Sequence, residues 1–127
     1  MKTSELTGAA LNYAVAVCEG FTNLRANPHR FDGRLIMGRP SKDLPPEYMD
    51  DLQFSRNWAM GGPIIEREAI RWYKIDYSRW VACKCTGIGT HQNEFSQYGP
   101  TQLIATMRCY IASKLGDEVE IPEELRT

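Results

Sequence analysis

Aromatic rings, a polar loop and one helical arginine are the parts of this chain that could do chemistry. Trp58, Trp72, Tyr73, Tyr77, Trp80, Phe95 and Tyr98 crowd its middle third. Most of them must fill a core, because aromatics carry a large share of burial in a small domain. A ring left with one open face can stack a nucleobase, worth ~1–3 kcal/mol. Asn93 or Gln92 can read a base edge or a ribose hydroxyl, with Thr90 shaping the same loop. A guanidinium can grip a phosphate in bidentate fashion. Arg108 holds the most telling position for that role, at the edge of an otherwise apolar helical face. It either shields the rim of the core with its stem or points an anion ligand into a cleft. Arg67 and Arg71 are further candidates for phosphate.

Catalytic groups are scarce by comparison. There is no Walker A loop, GxSxG or HExxH, and Gly87-Ile88-Gly89 is a bare GxG followed by polar residues where a dinucleotide fold needs a helix. His29 and His91 lie outside any recognisable catalytic frame. Glu66 could act as a base or a ligand group, whereas Glu68 reads as a solvated carboxylate, and two residues apart on a helix they do not face one site. Cys83, Cys85 and His91 lack the CxxC spacing of a structural zinc site, so neither metal nor cofactor is expected.

These side chains need elements to position them. Thr101 suits a helix N-cap, Gly116 the closing position and Lys114 the negative end of the dipole, which predicts a helix across 101–116. Leu103, Ile104, Met107, Ile111 and Leu115 form its apolar stripe. A first helix runs from Gly8 to Glu19, with Thr7 as its cap, Leu6 stapled onto Leu11, and an inner stripe of Leu11, Ala14, Val15 and Cys18. Gly62-Pro63 reads as a cap and first helical residue, predicting a short helix through Glu68. Ile70–Tyr77 and Trp80–Cys85 are strands joined by a tight turn at Ser78-Arg79, and Arg34–Met37 is a short strand in a loop-rich stretch. Thr86–Pro100 reads as a long polar loop of the functional kind, and Val119 with Ile121 as a short edge strand. The order of elements predicts an α+β fold: a small, mainly antiparallel sheet packed with an N-terminal and a C-terminal helix, in one domain over residues 1–127.

The 127 residues carry a formal net charge of −1, which offers no global attraction to duplex nucleic acid or anionic membranes. No apolar run approaches the ~20 residues of a membrane span, and no signal peptide is visible, so a cytoplasmic location and free thiols are expected.

Three segments resemble a known family. Leu6-Thr-Gly-Ala-Ala-Leu-Asn-Tyr-Ala-Val-Ala16, Trp58-Ala-Met-Gly-Gly-Pro-Ile-Ile-Glu-Arg-Glu68 and Pro100-Thr-Gln-Leu-Ile-Ala-Thr-Met-Arg-Cys-Tyr-Ile-Ala-Ser-Lys-Leu-Gly116, in that order, are similar to the NinX family of tailed-phage proteins. The likeness spans most of the chain. Pro100-Thr101-Gln102 departs from the Thr-Pro-Leu that usually opens the last helix there. The resemblance implies a phage or prophage accessory protein acting in the host cytoplasm. In layout the chain is also similar to phage proteins that defeat the Thoeris defence by holding a cyclic ADP-ribose signal without cleaving it, with Trp80, Asn93 and Arg108 as counterparts. That implies a non-catalytic, homo-oligomeric binder of a nucleotide immune signal, of the cyclic ADP-ribose or cyclic oligonucleotide type. Its ligand-binding residues would be Trp80, Asn93, Arg108, Thr90, Gln92, Trp58 and Glu66, and the small-residue first helix would supply the contact between copies. The alternative is a protein-interaction module acting on a host or phage DNA-processing protein, with Trp58 and Trp72 as anchors.

Overall fold

Thr101 and Gly116 bound the helix that supplies the centre of the core. The Ile104 N–H donates to Thr101 Oγ1 at 3.1 Å, and Gly116 turns the chain away at φ 90°. The computed structural model describes residues 1–26, 36–39, 50–86 and 93–126. Among these residues are three α-helices, α1 (Gly8–Cys18), α2 (Trp58–Glu68) and α3 (Gln102–Leu115), and the strands β1 (Thr22–Ala26), β2 (Ile36–Arg39), β3 (Asp50–Leu52), β4 (Arg71–Asp76), β5 (Arg79–Thr86) and β6 (Asn93–Gly99). The fold is α+β. Two antiparallel sheets form, in the orders β1-β2-β3 and β4-β5-β6, with helices before and after the second.

From Leu103 to Ala112 every position of α3 except Ile104 is buried, so the helix is enclosed all round instead of showing one stripe. A helix apolar on all sides is a core element. Met107, Ile111 and Tyr110 are its largest buried side chains, and they meet Leu6, Leu11 and Val15 from the N-terminal segment and α1. Leu115, expected on the inner stripe, is exposed beyond the last packed turn. Small residues let α1 press close to α3: Ala9, Ala10, Ala14 and Ala16 are all buried within the chain. They are therefore spent inside the chain. Thr7 starts α1 as predicted, but its side chain makes no capping hydrogen bond.

The helix before β4 is longer than Gly62-Pro63 predicts. Asn57 caps it, accepting the Ala59 N–H at 2.8 Å, and α2 begins at Trp58 with Pro63 inside it. Gly61 is the reason a glycine pair stands in this helix. A Cβ there would lie 2.7 Å from a Leu103 methyl and 2.8 Å from the Phe54 carbonyl oxygen, so Gly61 permits the close approach of α2 to α3.

β4 and β5 form the expected hairpin, with Asp76 opposite Arg79 and the turn at Tyr77-Ser78, one residue earlier than predicted. The long polar loop is shorter than expected, because Asn93–Gly99 pairs along β5 from Thr86 to Trp80. Residues 87–92, including Thr90, His91 and Gln92, lie outside the described residues, as do His29, Arg34 and Leu35. Phe95 and Ala82 turn toward the core, while Tyr73 and Tyr98 flank Val81 on the opposite face. The edge strand expected at Val119 and Ile121 reduces to a single bridge between Lys2 and Glu118, tied by the Met1 amine donating to the Val119 carbonyl at 2.9 Å. No helix among the described residues is long and apolar enough to cross a membrane.

Candidate functional site: a cleft between two tryptophans

The link between α2 and β4 builds the cleft. Ala69 takes the left-handed conformation (φ 53°, ψ 45°), which ends α2 sharply and sends β4 back along it. Trp58, at the first position of α2, then meets Trp72, at the second position of β4. Their ring centroids are 5.9 Å apart and the rings are inclined by 49°. Both keep open surface, at 46% and 40% exposure. Such exposure is costly for a large apolar ring unless something covers it. A cavity of about 500 Å³ lies against them, lined also by Gly62, Ile65, Glu66 and Arg71. That size suits a base-sized ligand. The lining offers two indole faces for stacking and a carboxylate that can accept from an exocyclic amine or ribose hydroxyl. The rings are too close and too inclined to sandwich a base, so a ligand would lie on an outer indole face.

Two of the residues singled out from sequence, Trp58 and Glu66, are therefore brought together. The others are not. Trp80 is half-buried against the core, with Lys74 Nζ 5.7 Å from the centre of its ring. Asn93 pairs with Thr86 and Gly99 with Trp80, so Asn93 and Trp80 stand at opposite ends of β5. Six residues of strand separate them, about 20 Å. Nothing further is described of the Asn93 side chain, and Thr90 and Gln92 lie outside the described residues.

Arg108 is 8% exposed and engages the main chain: Nε donates to the Leu6 carbonyl at 2.9 Å and Nη1 to the Tyr98 carbonyl at 2.7 Å. Burial of the charge holds its pKa below the usual arginine value. Its expected place at the rim fails because α3 is enclosed on every side, and it lines neither the tryptophan cleft nor the cavity beside it. The two main-chain carbonyls occupy the guanidinium that the sequence reading gave to a phosphate.

A second group of charged residues gave no sequence signal. Glu68, expected to be solvated, receives Lys84 Nζ at 2.5 Å and Arg67 Nε at 3.0 Å, with Lys114 Nζ at 3.4 Å. The Lys84 hydrogen bond, helped by Arg67 and opposed by burial, holds the Glu68 carboxyl down to about 2. Arg67 also bridges to Glu19, which accepts the Tyr110 hydroxyl at 2.5 Å. Burial pushes the Glu19 carboxyl up, but the hydrogen bonds from Arg67 and Tyr110 outweigh it and leave its pKa lowered. Burial and then Glu19 raise the Tyr110 phenol, and the same two causes raise the Cys18 thiol to about 11. Glu19, Arg67, Glu68 and Lys114 lie at the C-terminal ends of α1, α2 and α3, where cations are favoured, and Lys84 reaches them from β5. The cluster is satisfied internally and reads as a clamp. Glu66 faces the cleft while Glu68 faces this clamp, as their spacing on the helix requires.

Cys18, Cys83 and Cys109 are free thiols. Among the described residues no group of three or more His, Cys, Asp or Glu side chains is arranged to hold a metal ion.

A family model described as "Bacteriophage P22, NinX" matches residues 2–114 of the chain. No curated protein matches it.

Proposed function

Since the chain belongs to the bacteriophage P22 NinX family, we propose that it is a phage accessory protein that binds a nucleotide immune signal in the host cytoplasm and withholds it from host defence without cleaving it. The ligand class is a cyclic ADP-ribose or a cyclic oligonucleotide. The observation that carries this reading is the cleft in which Trp58, Trp72, Glu66 and Arg71 share one cavity. A base stacks on an indole face and Glu66 accepts from its polar edge. The reading is non-catalytic because Glu66 is the one proton-transfer group in that lining among the described residues, and no nucleophile stands beside it. It includes self-association, for which the exposed Tyr73 and Tyr98 on the outer face of the second sheet are one surface.

Calorimetry and tryptophan fluorescence with cyclic ADP-ribose isomers and cyclic oligonucleotides test it. Saturable binding is expected, with the nucleotide recovered intact after denaturation. Trp72→Ala should weaken it by about tenfold or more, the loss of one stacked base. No heat and no quenching with any of these ligands, on folded protein, would refute it.

A second reading is favoured by the exposure of Trp58 and Trp72 beside one another. Aromatics of this kind are the usual anchors of protein interfaces. On that reading the protein docks on a host or phage DNA-processing protein. A stoichiometric protein partner recovered from infected cells, lost with Trp58→Ala and unaffected by nucleotides, would select it.

A further inference from the structure

Gly62 stands in the middle of α2 with no packing reason to be glycine. Gly61 is required by Leu103 and the Phe54 carbonyl, but a Cβ at Gly62 would meet nothing closer than Trp58 Cε3, at 4.0 Å. Its φ does not lie in the left-handed region either. A glycine inside a helix destabilises it relative to alanine, so this position gives up stability without a return in packing.

The return lies in the tryptophan cleft. Trp58, Gly62 and Glu66 follow one another at four-residue spacing, so they share one face of α2, about 6 Å apart along its axis. All three line the cavity of about 500 Å³, together with Trp72. Helical side chains lean toward the N-terminus, which tilts Glu66 over the gap that Gly62 leaves, in the direction of Trp58. A flat group can enter that gap only while position 62 carries no side chain.

Glu66 is an independent pointer to the ligand. It is exposed and has neither a hydrogen bond nor an ion pair among the described residues, whereas Glu68, two positions on, holds Lys84 and Arg67. An ionised carboxylate only accepts, and its two oxygens are matched by two parallel N–H donors on one planar edge. Guanine presents such an edge, its N1–H beside the 2-amino group. Adenine presents an amino group beside a bare ring nitrogen, whose lone pair would face the second carboxylate oxygen.

We infer that the tryptophan cleft selects guanine: the ring lies over Gly62 against an indole face, and its N1–H and 2-amino group donate to Glu66. The inference rests on the proposed function and narrows it, favouring a guanine-containing cyclic oligonucleotide over a cyclic ADP-ribose.

Fluorescence and calorimetric titration of the full chain with GMP, IMP and AMP tests it, since IMP differs from GMP only by lacking the 2-amino group. GMP should bind at least tenfold more tightly than either. Glu66→Gln should weaken GMP binding at least tenfold and bring it level with AMP. Gly62→Ala should melt higher than the parent, because alanine is the better helix former and the position has room for a Cβ. Gly62→Leu should fill the gap and weaken GMP binding at least tenfold. Equal affinity for the three nucleotides, GMP binding unchanged in Gly62→Leu, or a lowered melting temperature in Gly62→Ala would overturn the guanine assignment while leaving a nucleotide cleft standing. Saturable, Glu66-dependent binding of arginine amide in place of GMP would overturn it in favour of the protein-docking reading, because a guanidinium also offers paired N–H donors. Absence of binding by any nucleotide, on folded protein, would overturn the proposed function itself.

Discussion

Replacing Arg108 with Met separates an arginine that holds the fold from one that holds a ligand. The guanidinium joins two distant pieces of main chain, the Leu6 carbonyl just before α1 and the Tyr98 carbonyl near the end of β6. A hydrogen bond to a charged group contributes roughly 1.5–3 kcal/mol, so two such bonds amount to about 3–6 kcal/mol. Methionine keeps much of the volume and removes the desolvation cost of a buried charge, returning part of that sum. The net loss should be about 3 kcal/mol. A chain of this size loses about 4 °C of melting temperature per kcal/mol, so Arg108→Met should melt about 10 °C lower. Urea unfolding should show a lower midpoint with an unchanged slope, since the surface exposed on unfolding stays the same. Arg108→Lys should fall between the two proteins, because one ammonium cannot reproduce the geometry of two guanidinium donors. An Arg108→Met protein within about 0.5 kcal/mol of the parent that fails to bind a nucleotide would refute this reasoning. The arginine would then belong to the ligand.

The Glu68 carboxyl, held at about 2 against an ordinary value of 4.5, should make stability pH-dependent. A depressed pKa contributes fully above pH 4.5, and about 3 kcal/mol should be lost as the pH falls from there toward 2; denaturant melts across that window check it, and Glu68→Gln should remove most of the dependence. Ala69→Gly should raise stability by about 0.5–1 kcal/mol, because glycine tolerates the left-handed φ of 53° that strains alanine; thermal melting reads the gain. Gly99→Ala should cost about 1–3 kcal/mol, since its Cβ would come 2.7 Å from the Ala105 backbone nitrogen, which cannot step aside. A Gly99→Ala melt unchanged from the parent would show that the contact between β6 and α3 is looser than described.

The limits of α3 were readable because capping acts within one turn: Thr101 and Gly116 do what their residue types suggest. The start of α1 also falls at Thr7, although that side chain makes no capping hydrogen bond, and the β4–β5 hairpin falls within a residue of where β-branched and aromatic runs put it. Sequence failed where distant packing overrode local preference. Gly61-Gly62-Pro63 looks like a helix boundary, yet Gly61 serves the contact with Leu103 on α3, and α2 runs through all three. Asn93–Gly99 is too polar to announce a strand, yet β5 has an open edge whose backbone groups need partners, and β6 supplies them.

The sites show the same division. Composition alone supplied the ingredients, an excess of tryptophan and tyrosine with scattered arginines, and alternation and capping supplied the α+β outline. Which tryptophans would meet, and which arginine would be consumed by the main chain, were beyond local inspection. Leu6 lies 102 positions from Arg108, and Glu19 lies 48 from Arg67. Capping and periodicity act over a few residues and leave their mark in the residues themselves. Cavities and ion clusters arise from how finished elements stack, and no short stretch of chain records that stacking.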